Sequence, residues 1–125
     1  MQTAWTARKL FGGAMRQSGM LAAAVLHALD HHVDRLAEDH ENARAIADMI
    51  DGAGGARVVP PDTNIVMIDL PPGRSTGPIV QAAKAQGVLV SHWSETRIRM
   101  VTHLDVSVED ARHAAEVVRD ALDCS

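Results

Sequence analysis

Two proline pairs, Pro60-Pro61 and Pro71-Pro72, restrict how this chain can fold more than any other feature. Proline has no amide hydrogen and its ring clashes with the preceding helical turn, so no helix runs through either pair. Between them Thr63-Asn64-Ile65-Val66-Met67-Ile68-Asp69-Leu70 is β-branched and apolar, the composition of a strand. Before the pairs the pattern is helical. Met15, Leu21, Ala22, Val25, Leu26 and Leu29 recur at the spacing of one helix face after Gly12-Gly13. The small run Ala22-Ala23-Ala24 lets another backbone approach closely, which suits a partner surface as well as a compact core. From His32 to about Asp51, Val33, Leu36, Ala37, Ala43, Ile46, Ala47 and Ile50 form a second stripe, with Glu38, Asp39, Glu41, Arg44 and Asp48 facing water. Asp34 is its expected start and Gly52, Gly54 and Gly55 its stop, with a bend at Asp30-His31-His32.

After the second proline pair, strands and helices alternate. A helix is expected from Thr76 to Gln86, stopped by Gly87. Strands are expected at Val88-Leu89-Val90-Ser91 and Arg97-Ile98-Arg99-Met100-Val101-Thr102, with a further short one at Arg57-Val58-Val59. Ser107 and Asp110 have the spacing of a capping box, opening a last helix through Ala111, Ala114, Val117, Val118, Ala121 and Leu122. The expected class is α+β: a small antiparallel or mixed sheet of three to four strands, covered on one face by helices and preceded by a long helical segment. The expected division is 1–16, a glycine-rich leading segment, 17–53, a helical connection, and 54–125, a small α/β C-terminal domain. At 125 residues the chain supports one core without metal or disulfide. With only Trp5, Phe11 and Trp93 aromatic, that core is aliphatic.

Charge and cysteine narrow the function classes. A formal net charge of −4 argues against a nucleic-acid or anionic-membrane surface. No stretch has the length of apolar residues that a membrane span needs, and the single Cys124 fits a reducing compartment, so a cytoplasmic location is expected.

Three groups of residues could carry chemistry. Arg97 and Arg99 project from one strand face while Ile98, Met100 and Thr102 project from the other. Arg99 on an open face can grip a carboxylate through two parallel hydrogen bonds, and it can equally be a solvated surface arginine. Arg8, Lys9 and Arg16 flank Gly12-Gly13-Ala14 just before a helix, a weak version of an anion site. His27, His31 and His32, with Asp30 and Asp34, invite a metal reading, but no His-Glu-x-x-His arrangement occurs and no cysteine joins them, so no metal site is expected. His103 and Asp105 read as a local turn, and no Gly-x-Ser-x-Gly elbow exposes a nucleophilic serine.

Four blocks carry a family resemblance: Arg8-Lys9-Leu10-Phe11-Gly12-Gly13-Ala14-Met15-Arg16-Gln17, Arg35-Leu36-Ala37-Glu38-Asp39-His40-Glu41-Asn42-Ala43, Asp62-Thr63-Asn64-Ile65-Val66 and Arg99-Met100-Val101-Thr102-His103-Leu104-Asp105-Val106. In order and spacing they resemble the C-terminal portion of the low-specificity L-threonine aldolases, fold-type-I enzymes that use pyridoxal 5'-phosphate (PLP). The resemblance implies that a large N-terminal domain holds the cofactor and that threonine is cleaved to glycine and acetaldehyde. It implies that Arg99 holds the substrate carboxylate, and that Lys9 and Arg16 lie near the active site at a subunit interface and help to hold the cofactor phosphate. Ala14 replaces a glycine of the family's segment. The Schiff-base lysine, the ring-stacking histidine and the aspartate that pairs with the pyridine nitrogen belong to the part not represented, and Lys9 and Lys84 are the only lysines. No catalytic residue is therefore expected in this chain, and aldolase activity in isolation is expected to be negligible. The implied partners are a small amino-acid substrate and either the large PLP domain or further copies in a homo-oligomer. Two other classes stay open: a freestanding α+β module that binds a carboxylate or another protein, and a non-functional remnant.

Overall fold

The structure, a computed structural model, describes residues 2–13 and 15–124. The chain separates into two compact units, Met1–Asp34 and Arg35–Ser125.

The first unit holds α1 (Gln2–Leu10) and α2 (Gly19–His31), and no residue of either helix is buried. Helix α1 has no apolar stripe. Its residues are mostly good helix formers, so propensity rather than periodicity marks it, and the periodicity reading misses it. It stops at Gly12, whose φ of 74° gives the left-handed turn that closes a helix end. The Gly12 and Gly13 amides donate to the Lys9 and Arg8 carbonyls at 3.2 and 2.8 Å. Helix α2 begins at Gly19, later than its apolar spacing suggests, and Leu21, Val25, Leu26 and Leu29 are all more than half exposed.

The second unit carries the core. Helix α3 (Leu36–Ile50) is followed by β1 (Arg57–Val59), β2 (Ile65–Asp69), α4 (Thr76–Ala85), β3 (Ser91–Ser94), β4 (Arg97–Val101) and α5 (Val108–Asp123). The strands form one antiparallel sheet in the order β1-β2-β4-β3. Alternation decides its faces. Val58, Val66, Ile68, Ile98 and Met100 are buried and join Ala43, Ile46, Ile50, Ile79, Val118 and Leu122 of α3, α4 and α5 in one cluster. The opposite face, including Met67, Asp69, Arg97 and Arg99, is half-buried and has no helix of this unit over it. This is the expected α+β class. No described helix is long and apolar enough to cross a membrane.

Three local expectations change. Strand β3 begins at Ser91, three residues later than its apolar composition suggests, and pairs with β4 across the two-residue connection Glu95-Thr96, Ser94 opposite Arg97 and Ser91 opposite Arg99. Val88 is instead buried as an anchor while Leu89 is 82% exposed. Asp39, expected in water, is buried: Arg35 one turn earlier donates to both its carboxylate oxygens at 2.9 and 3.2 Å, and the Thr102 hydroxyl donates to its carbonyl at 2.6 Å. Helix α3 starts at Leu36, after a turn that contains Asp34, and the apolar stripe is three residues shorter than drawn, since Val33, Leu36 and Ala37 are exposed.

Candidate functional site

Strand β4 presents Arg97 and Arg99 from the open face, as its period-two pattern requires. Their surroundings differ because of what stands across the ladder. Asp69 of β2 is directly opposite Arg97. It accepts from Arg97 Nε and, at 2.9 Å, from Nη2, a bidentate pair. The hydrogen bond from Arg97, helped by the charges of Arg97 and Arg57, holds the Asp69 carboxyl below its ordinary value against an opposing effect of burial that ranks second only to that hydrogen bond. Arg57 of β1 is opposite Asp69 on its other side.

Opposite Arg99 stand Met67 on β2 and Ser91 on β3, neither of them acidic. Among the described residues no carboxylate lies within ion-pair distance of Arg99. Its guanidinium lies 5.4 Å from the centroid of Trp93, which sits at the register shift between His92 and Ser94. The result is a half-buried guanidinium, held from one side by an indole, with its hydrogen-bonding edge open. Such a group can bind a carboxylate in two-point fashion.

The glycine-rich cluster belongs to the first unit. Arg8 is committed locally: Nε donates to the Gly13 carbonyl and its guanidinium lies 5.1 Å from the Trp5 centroid. The glycines close the C-terminal end of α1 rather than opening a helix, so their amides serve α1 and the local helix dipole is negative there. This corrects the helix-start form of the anion-site reading. Lys9, in the last turn of α1, lines a shallow groove of about 330 Å³ with Trp5, Thr6 and Leu10. Arg16 is exposed, and no carboxylate lies within ion-pair distance of it or of Lys9 among the described residues. Ala14 lies outside the described residues.

The remaining candidates are local arrangements. The ring of His27 is 4.4 Å from that of His31 and 5.5 Å from that of His32, yet no group of three or more histidine, cysteine or acidic residues is arranged to hold a metal among the described residues. His103 and Asp105 form a local turn, with the Asp105 amide donating to His103 Nδ1 at 3.3 Å. Two residues around Arg99 escape reading by spacing. Asp69 shares an alternation parity with Met67, but only the β2–β4 register sets it across from Arg97. Trp93 lies six residues before Arg99 and meets it only because the hairpin folds back.

Comparison with known proteins identifies the family. Residues 1–71 match the family model described as beta-eliminating lyase. The low specificity L-threonine aldolase of Escherichia coli K12 is 42% identical over 108 residues, covering 86% of this chain and 31% of that protein. Low-specificity L-threonine aldolase 1 of Arabidopsis thaliana is 29% identical over 126 residues, covering 98% of this chain and 35% of that protein. The chain thus spans about a third of the length of the relatives it matches. Among solved structures, an α-aminoadipate aminotransferase of Thermus thermophilus, complexed with N-(5'-phosphopyridoxyl)-L-leucine, superimposes with a TM-score of 0.65 at 16% identity, over 83% of this chain and 30% of that one, a likeness of fold. The chain belongs to the beta-eliminating lyase family and, within it, stands with the threonine aldolases.

Proposed function

We propose that this chain is the substrate-gripping part of a PLP-dependent threonine aldolase, which cleaves L-threonine or L-allo-threonine to glycine and acetaldehyde. The observation that carries the reading is the contrast on β4: Arg97 is neutralised by Asp69, whereas Arg99, two residues on, has no carboxylate among the described residues to hold. Arg99 donates to the substrate carboxylate and thereby orients the amino acid about its Cα. The donor set of the first unit fits one end of the cofactor: Lys9 and Arg16 supply counter-charge for a phosphate, while the glycine amides are already used by α1. PLP, when bound, supplies an electron sink for the pair released as Cα–Cβ breaks. The lysine that binds it belongs, in this reading, to residues outside this sequence, contributed by a large domain or by another subunit. Lys9 and Lys84 do not take that role, and the chain alone releases no glycine from threonine. The reading takes 1–16 as the leading segment and 17–53 as the helical connection, whose second half, α3, packs into the core that it shares with 54–125.

The test is an NMR titration of the full chain with L-threonine, beside a glycine-release assay with added PLP. Arg99→Ala is expected to weaken binding about tenfold or more, from loss of a charge-assisted two-point contact, and Arg99→Lys to restore only part of it. Threonine binding that survives Arg99→Ala overturns the assignment, and enzyme-like glycine release by the chain with PLP overturns its incompleteness.

A further inference from the structure

We propose that the Asp69–Arg97 pair limits the open sheet face to one carboxylate and so excludes dicarboxylic amino acids from the site. The inference rests on the reading of Arg99 as the carboxylate-binding residue and adds its specificity. Arg97 and Arg99 leave the same strand face two residues apart, a separation of about 7 Å along β4. Two open guanidinium groups at that spacing would suit a four- or five-carbon diacid, one carboxylate on each. Asp69 prevents this by register: it stands opposite Arg97 and occupies both Nε and Nη2, the edge that a ligand carboxylate would use. An internal carboxylate held on the neighbouring strand outcompetes one arriving from solution, because it is always at high local concentration.

The rest of the face is arranged consistently with this. Arg57 lies opposite Asp69 on β1, so among the described strand residues of this face Asp69 is the one acid beside Arg57, Arg97 and Arg99. Across from Arg99 the ladder offers Met67 and Ser91, which leave its edge open, and Trp93 supports its other side. With the charge of Asp69 removed, Arg97 would become a second carboxylate receptor beside the first.

The experiment is a titration of the full chain at neutral pH and low ionic strength with propionate and with glutarate, followed by amide chemical shifts. The wild-type chain is expected to bind glutarate within about threefold of propionate, close to the statistical advantage of carrying two carboxylates. Asp69→Asn is expected to gain about tenfold or more for glutarate with propionate changed less than about threefold, and the added Arg97→Met change to cancel the gain. Asp69→Thr, which suits a strand, is expected to behave like Asp69→Asn and serves if the asparagine variant folds poorly. A wild-type chain that already prefers glutarate by about tenfold overturns the proposal without recourse to any variant. So does absence of the gain in both Asp69 variants. Propionate binding that survives Arg99→Ala overturns the functional reading, whereas its loss there combined with no gain at Asp69 overturns only the present inference.

Discussion

Arg97 and Arg99 have the same side chain, strand and face, and they differ through the residue across the ladder. That difference makes Asp69 a reporter of the folded sheet. Its carboxyl is held below its ordinary value of 3.8 mainly by the hydrogen bond from Arg97, so the folded state keeps it ionised more readily than the unfolded chain does. The associated stabilisation is present in full above that value and is lost as pH falls below 3.8 toward the folded pKa. Thermal midpoints measured from about pH 6 to pH 3 are expected to fall, and Asp69→Asn to flatten part of that fall. A second residue decides geometry alone. Gly54 has a φ of +55°, and a Cβ there would lie 2.2 Å from the Leu122 carbonyl oxygen. Gly54→Ala is expected to cost about 3 kcal/mol, from left-handed strain plus overpacking against the end of α5, read by chemical denaturation. Arg74 reinforces the same junction by donating to the Gly54 and Leu122 carbonyls at 2.7 and 2.6 Å. Sequence alone marks Gly54 as a helix stop and is silent on the carbonyl that excludes a side chain there, because that carbonyl comes from 68 residues away.

Elements whose signals are local are legible from composition, and α5 is the clearest. The Ser107 hydroxyl accepts from the Asp110 amide at 3.1 Å, and the Asp110 carboxylate accepts from the Ser107 amide at 3.1 Å, the capping box that the spacing predicts. Ser107→Ala is expected to lower stability by about 1 kcal/mol. Denaturant midpoints check it, and an unchanged midpoint would deny the cap its role. The hydrogen bonds from Ser107 also hold the Asp110 carboxyl below its ordinary value, so this helix start loses support in acid with the same sign as Asp69. Strand β3 shows the limit of local reading. Its four residues Ser-His-Trp-Ser are all exposed, and they are a strand because the hairpin register places them beside β4. The more strand-like Val88-Leu89-Val90 directly precedes the paired residues and takes no part in the ladder. Helix α1 errs in the other direction, formed by propensity where no periodicity announces it.

At the scale of the molecule the three aromatic residues do not enter the core. Trp5, Phe11 and Trp93 are 61, 90 and 57% exposed, and the core is aliphatic, as a chain so poor in aromatics requires. Two of them instead carry arginines: Trp5 with Arg8, and Trp93 with Arg99. The first unit has an apolar helix with no buried residue, and its Leu21, Val25, Leu26 and Leu29 fall on one broad face. The isolated chain is therefore expected to bind a hydrophobic reporter dye and to self-associate, with Val25→Glu and Leu26→Glu together reducing both several-fold. Sedimentation velocity and dye fluorescence check this, and a monomer that excludes the dye would show that the face is already covered. From α2 onward the order of helices and strands, with the proline stops, the capping box and the alternation that sets Arg99 apart from the core, is determined by sequence alone, because each depends on neighbours within a few positions. The pairing of Asp69 with Arg97, the indole under Arg99, the burial of Asp39 and the closure of Gly54 against Leu122 were decided only by tertiary structure, since strand register and helix docking bring together residues whose separation along the chain carries no record of their contact.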